Sequence, residues 1–194
     1  MDKEITFHGE KFVTLASGNR ISENHGFISA LDMAWQMGRI CRWNGAGEHF
    51  WSDLLHSFVV ADLVEHDWLK CHALIHDCAE CAGNDVPAPF KTDERRRVEH
   101  LITVRTWDGL GLYHLNEAQE AIIKRADNRS RNAEAWVVGN DGNRASYPKR
   151  DEQAEGVVRK YLLEYPPADT IKRDGQSARE FMKRFHEYWR MAQD

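Results

Sequence analysis

Long apolar runs are missing from this chain. None approaches the roughly 18 residues that a membrane span needs, and the N-terminal Met1-Asp2-Lys3-Glu4 lacks the apolar stretch of a signal peptide. A soluble, cytoplasmic protein with no membrane partner is expected. Cysteine is scarce, with Cys41, Cys71, Cys78 and Cys81 the whole set, and a reducing compartment disfavours disulfides. Cys78 and Cys81 form a C-x-x-C, but no second C-x-x-C completes a zinc site. The pair also falls late in a helical pattern, not at the start of a helix after a strand. Ordinary half-buried cysteines are expected. Proline and glycine are few, 5 and 13 among 194 residues, which excludes collagen-like and low-complexity chains. Basic charge is also short, 26 Lys and Arg against 31 Asp and Glu, so a nucleic-acid polymer is a poor partner. What remains suits one domain over residues 1–194, long enough for its own core. Histidine, in contrast, is plentiful at ten.

Ile5–His8 and Lys11–Leu15 flank Gly9-Glu10 as a short hairpin, with Ser17-Gly18-Asn19 as the next turn. Helical patterns follow. Ile28, Leu31, Trp35 and Ile40/Cys41 predict a helix over about 27–43, broken by Asn44-Gly45. Ser52 caps a second helix to about Glu65. A third spans about Trp68 to Ala82, and the prolines of Asp85-Val86-Pro87-Ala88-Pro89 forbid helix after it. Thr92 caps a fourth to about Trp107. Asn116, with Gln119 in a capping box, starts a long one to about Val138. Residues 139–148 read as loop, Asp151 caps a helix to about Glu164, and Phe181, Phe185, Tyr188 and Trp189 mark a last amphipathic helix as core or interface. The class is all-α, a helical bundle with a short N-terminal β-hairpin, its core over about 27–138 and C-terminal helices over 151–193.

His76-Asp77, inside Ala73-Leu74-Ile75-His76-Asp77-Cys78-Ala79-Glu80, is the strongest local signal. A histidine and an aspartate among apolar neighbours do not form a solvated patch. Read as helix, they reach one point only at a concave site, with Glu80 one turn on. Burying such groups is costly unless compensated, and a divalent cation compensates. His56 and Asp127, each in mid-helix, complete a His, His-Asp, Asp set. Asp141 or Asp108 would replace Asp127 if the helix assignment were shifted. Two imidazoles and two carboxylates suit Mn, Fe, Co, Ni or Zn better than Ca or Mg. His72, one turn before His76, is expected to pack, and His49 lies near the mouth of the site. Asp93-Glu94-Arg95-Arg96-Arg97 reads as a solvated face from which one arginine could reach a phosphate.

The order H…HD…D on successive helices resembles the HD-domain phosphohydrolases. Arg42-Trp43-Asn44-Gly45, Phe50, Ser52, His56-Ser57, His76 to Glu80, Asp85 to Lys91 and Ala126-Asp127 fall in the order found in bacterial 5′-deoxynucleotidases and phage dATP triphosphohydrolases. The resemblance covers about 27–138. It implies an HD-domain helical bundle and metal ligands at His56, His76, Asp77 and Asp127. It also implies an acidic catalytic pair at Glu80 and Asp85 and substrate contacts at Arg42, Trp43 and Lys91. The expected substrate is a deoxynucleotide, the expected assembly a homo-oligomer of two or more chains, and the compartment the host cytoplasm if a phage encodes it. The favoured reaction releases triphosphate and deoxynucleoside from a dNTP, dATP first; a dNMP phosphatase is the alternative. Ala46-Gly47 departs from the His-Thr of many relatives, which leaves the base open. A cyclic-nucleotide or alarmone hydrolase fits the Arg-Trp and Asp-x-Pro-x-Pro elements less well. A catalytically idle nucleotide-binding protein would lack a ligand or an acid, and here all are present.

Overall fold

The computed structural model describes residues 6–7, 9–169 and 171–193. Two short hairpins come first. β1 (Thr6–Phe7) pairs with β2 (Glu10–Lys11) around Gly9, and β3 (Val13–Thr14) pairs with β4 (Arg20–Ile21) around the turn at Gly18. The single expected hairpin is thus two, because Val13–Thr14 pairs forward rather than back; Ile5 and His8 lie outside the described residues.

Helix α1 (Ala30–Gln36) is capped by Ser29, with Asp32 closing the capping box. It is much shorter than the expected 27–43. The carbonyls of Met37 and Ile40 are taken by the first free amides of the next helix, Leu54 and Asp53, both at 3.1 Å. The buried face is also displaced: Met33, Ala34 and Met37 are buried, while Leu31 and Trp35 are 48% and 38% exposed. The chain then makes a 3₁₀ turn, Arg42–Gly45, in which Trp43 (φ 59°) and Asn44 (φ 51°) are left-handed. Side-chain-bearing residues rarely adopt that conformation, and holding two in succession costs energy that the surroundings must supply.

Helix α2 (Asp53–Leu63), capped by Ser52, is buried at every position but Asp62. An apolar helix without a polar face belongs at the centre of a bundle, and α2 sits there. The third expected helix is two, α3 (Lys70–Leu74) and α4 (Glu80–Gly83). Between them the chain tightens into turns, with Cys78 N–H on the Ile75 carbonyl and Glu80 N–H on the Asp77 carbonyl, both 2.9 Å. His76 and Asp77 therefore stand in a break and are not helix neighbours. The proline segment carries one 3₁₀ turn, Ala88–Phe90.

Helices α5 (Asp93–Leu110) and α6 (Glu117–Val137) carry the expected caps, Thr92 and the Asn116/Gln119 box, and α5 ends on left-handed Gly111. The expected loop 139–148 contains a further helix, α7 (Asp141–Ser146), set by an Asn140/Asn143 capping box and burying no residue, so no apolar period marks it. Then follow α8 (Glu152–Glu164) and α9 (Ser177–Met191). Helix α6 packs on α2 and α8, while α9 packs on α1 and α3. Phe181 and Phe185 are core, as expected. Cys71, Cys78 and Cys81 are fully buried free thiols rather than half-buried; Cys41 alone is intermediate. The architecture is all-α with a small N-terminal β element. No helix among the described residues is long and apolar enough to cross a membrane.

Candidate metal centre

Four side chains from three parts of the fold gather around His56 Nε2. His56 comes from α2, one turn past its Ser52 cap. His76 and Asp77 come from the break between α3 and α4, and Asp127 comes from the middle of α6. His56 Nε2 lies 3.3 Å from His76 Nε2, 3.4 Å from Asp127 Oδ1 and 3.5 Å from Asp77 Oδ2; His76 Nε2 lies 3.1 Å from Asp77 Oδ2. Asp108 and Asp141, the alternatives to Asp127, pair elsewhere, with His114 and Arg144.

The partners behind these groups decide what they offer. His56 Nδ1 donates to Glu134 Oε1 at 2.6 Å and His76 Nδ1 to the Ala73 carbonyl at 2.8 Å, since neither acceptor has a hydrogen to give. Each ring therefore turns its Nε2 to the centre, where it offers a lone pair once unprotonated. Asp127 gives Oδ1 to the centre and keeps Oδ2 for Lys124 (2.7 Å) and Arg131 (2.8 Å). Two imidazole nitrogens and two carboxylates gathered this closely need a cation or a proton between them. His56, His76 and Asp127 bring one ligand atom each within 4.8 Å of one another and could hold a metal ion; Asp77 falls outside that group while lying close to both imidazoles. The nitrogen–oxygen donor set fits a divalent transition ion.

The charges agree. Burial and the Arg42 charge push His56 down, but Glu134 and Asp127 outweigh them and hold it at about 9. Burial raises Asp77, yet His76 and His56 keep it well below the usual carboxylate range. Asp127 is likewise held low against its burial, by the hydrogen bond and charge of His56. At pH 7 the metal-free centre thus holds a proton on His56 that a metal must displace. Metal loading is therefore expected to release about one proton at pH 7, falling toward none as pH rises through 9. Calorimetry in buffers of different ionisation enthalpy measures it; no release at pH 7 would contradict this protonation.

The other sequence-chosen residues surround a cavity of about 280 Å³ beside the centre, lined by Arg42, Trp43, Glu80, Asp85 and Lys91 together with Asp77 and Asp127. Arg96, Lys124 and Arg131 add cations to its wall, so one arginine of the 93–97 run lines this cavity. Arg42 is 9% exposed, and its guanidinium is committed inward: Nε to Glu134 at 3.2 Å, Nη1 to Asp53 at 3.3 Å and to Asp77 at 3.6 Å. Trp43 packs edge-on to Tyr147 with 5.5 Å between centroids. Lys91 Nζ stands 3.0 Å from Glu99 and 3.7 Å from Glu80. Burial and the Asp77, Asp53 and Asp85 charges push the Glu80 carboxyl up to about 11. His72 donates from Nε2 to the Tyr113 carbonyl at 2.9 Å and packs on Trp107, the packing role expected of it.

Three participants escape the sequence reading. Glu134 receives His56 and Arg42, and Ser130 donates to Glu134 at 2.7 Å. Both share the Asp127 face of α6, at three and seven residues on. Asp53, three residues before His56, takes the other side of Arg42.

Among known proteins, no family model matches the chain. Over 109 residues it is 32% identical to the uncharacterized protein YfdR of Escherichia coli (strain K12), a stretch covering 55% of this chain and 57% of that protein, so the chain spans little more than half the length of the relative it is similar to.

Proposed function

We propose that this chain is an HD-domain metal-dependent phosphohydrolase acting on deoxynucleotides, with dNTPs (dATP first) cleaved to deoxynucleoside and triphosphate. The observation that carries the reading is the convergence of His56, His76 and Asp127, with Asp77 beside both imidazoles, at the edge of a cavity walled by cations. Those four residues would hold one divalent transition ion, which when bound acidifies water and draws charge from a phosphoryl oxygen. The rest is the work of this chain. Lys91, Arg96 and Lys124 set positive charge around the cavity for phosphate oxygens. Arg42 lines the same wall, but its three carboxylate contacts also make it the strut that fixes Asp77. Trp43, braced by Tyr147, offers a flat apolar face to sugar or base. Glu80 and Asp85 face the same cavity and jointly orient the attacking water and move its proton.

Incubation of the metal-stripped protein with Mn or Co and dATP, dGTP, dAMP and ATP, with products resolved by chromatography, tests this. Deoxyadenosine and triphosphate in equal amounts from dATP are expected. Phosphate from dAMP alone would move the assignment to a 5′-deoxynucleotidase. No turnover of any nucleotide would leave a nucleotide-binding protein and end the enzyme reading.

A further inference from the structure

Beside the His-Asp centre lies a second group of ligating atoms. One carboxylate oxygen each from Asp53, Glu80 and Asp85 lies within 4.8 Å of the others. These are not surface acids: Asp53 is 0% and Glu80 5% exposed. Asp53 Oδ2 and Glu80 Oε2 are buried and receive no hydrogen bond among the described residues. Buried carboxylate oxygens without a donor are heavily penalised and call for an explanation. The adjacent cations are shared. Arg42 divides its guanidinium among Asp53, Asp77 and Glu134, and Lys91 lies closer to Glu99 than to Glu80. Neither balances three converging carboxylates.

We propose that Asp53, Glu80 and Asp85 bind a second divalent cation, chemically distinct from any held by the His-Asp centre. The inference rests on this geometry and not on the hydrolase reading. An all-oxygen set suits a hard ion such as Mg²⁺ or Mn²⁺, whereas the imidazoles of the first centre suit softer ones. Glu80 and Asp85 line the cavity, whereas Asp53 stands behind them, so such a cation has a protein side and an open side. A magnesium-like ion commonly completes its shell with waters and phosphate oxygens. Without the cation, a proton shared by Asp53 and Glu80 fills the same need, and the cation displaces it. Ligation and proton handling are compatible, because a carboxylate can hold an ion through one oxygen and accept a proton on the other.

Equilibrium dialysis of the metal-stripped chain against saturating Mn²⁺, with bound metal counted, is the test. Two ions per chain are expected for the wild type and one for Asp53→Asn, for Asp85→Asn and for His76→Ala. Asp85 is only half-buried, so Asp85→Asn serves if Asp53→Asn does not fold. Two bound Mn²⁺ should also broaden each other's magnetic resonance signal, which sharpens in each variant. One ion in the wild type, or two retained in the Asp variants, overturns the site and leaves the proton as its occupant. Two ions without nucleotide hydrolysis would keep this site and end the hydrolase reading; hydrolysis with one ion would do the reverse.

Discussion

If the proposed activity holds, Asp77→Ala is expected to lower dATP turnover by about a thousandfold or more while leaving the fold intact. The size follows from what the ion contributes: activating water and neutralising phosphoryl charge is worth several kcal/mol of barrier, and each factor of ten is about 1.4 kcal/mol. Asp77 lies close to both imidazoles, at 3.1 Å from His76 and 3.5 Å from His56. The fold tolerates the change for a specific reason. Asp77 is the longest of the three carboxylate contacts of Arg42, at 3.6 Å, and Asp53 and Glu134 remain when it is gone. Removing it also relieves repulsion on Glu80 and Asp127. Asp77 still pairs with His76 and His56 in the metal-free fold, so the metal-free variant should melt a few °C below the metal-free wild type. The metal-dependent rise in melting temperature should vanish with the activity. Turnover at the wild-type rate would place the ion elsewhere and sink the assignment.

Some of this centre is legible in the sequence because helix phase is. Ser52 caps α2 and Asn116 caps α6 with a capping box, so His56 and Asp127 can be placed on inward faces by counting turns. The chemistry of His76-Asp77 is legible too, but not its backbone. A run of good helix formers reads as one helix, and the break at residues 75–79 depends on what the turn must reach, not on propensity. Helix α1 fails in the same way: its end is decided by amides of α2, which no local pattern contains. Glu134 is hidden for another reason. In the charged sequence of α6 a glutamate reads as solvent-facing, and only the arrival of His56 and Arg42, far away in sequence, makes it the buried anchor. Tertiary partners, rather than periodicity, settle these positions.

That anchor yields the largest stability effect. Glu134 is 0% exposed and takes both the His56 Nδ1 hydrogen and the Arg42 guanidinium, with Ser130 donating to it as well. Glu134→Ala leaves two buried cationic groups without their main partner. Breaking a buried pair by removing one side costs about 3–5 kcal/mol, and at this chain length each kcal/mol moves the melting temperature by about 2–4 °C. Metal-free Glu134→Ala should therefore melt about 10 °C or more below wild type. Glu134→Gln, which keeps an acceptor but not the charge, should fall between. The pH dependence has a definite sign. Despite burial, His56 and Arg42 hold Glu134 at about 2 against an ordinary 4.5, so its contribution is complete above 4.5 and lost as pH falls through 2. His56 is raised from 6.5 to about 9, so its part is complete below 6.5 and lost as pH rises through 9. The gap between wild type and Glu134→Ala should be widest from pH 4.5 to 6.5 and should narrow above 9, where only the Arg42 share remains. Thermal melts across that range measure it. A gap that stays constant through pH 9 would mean that His56 carries no proton in the metal-free fold, and that the centre balances its carboxylates by other means.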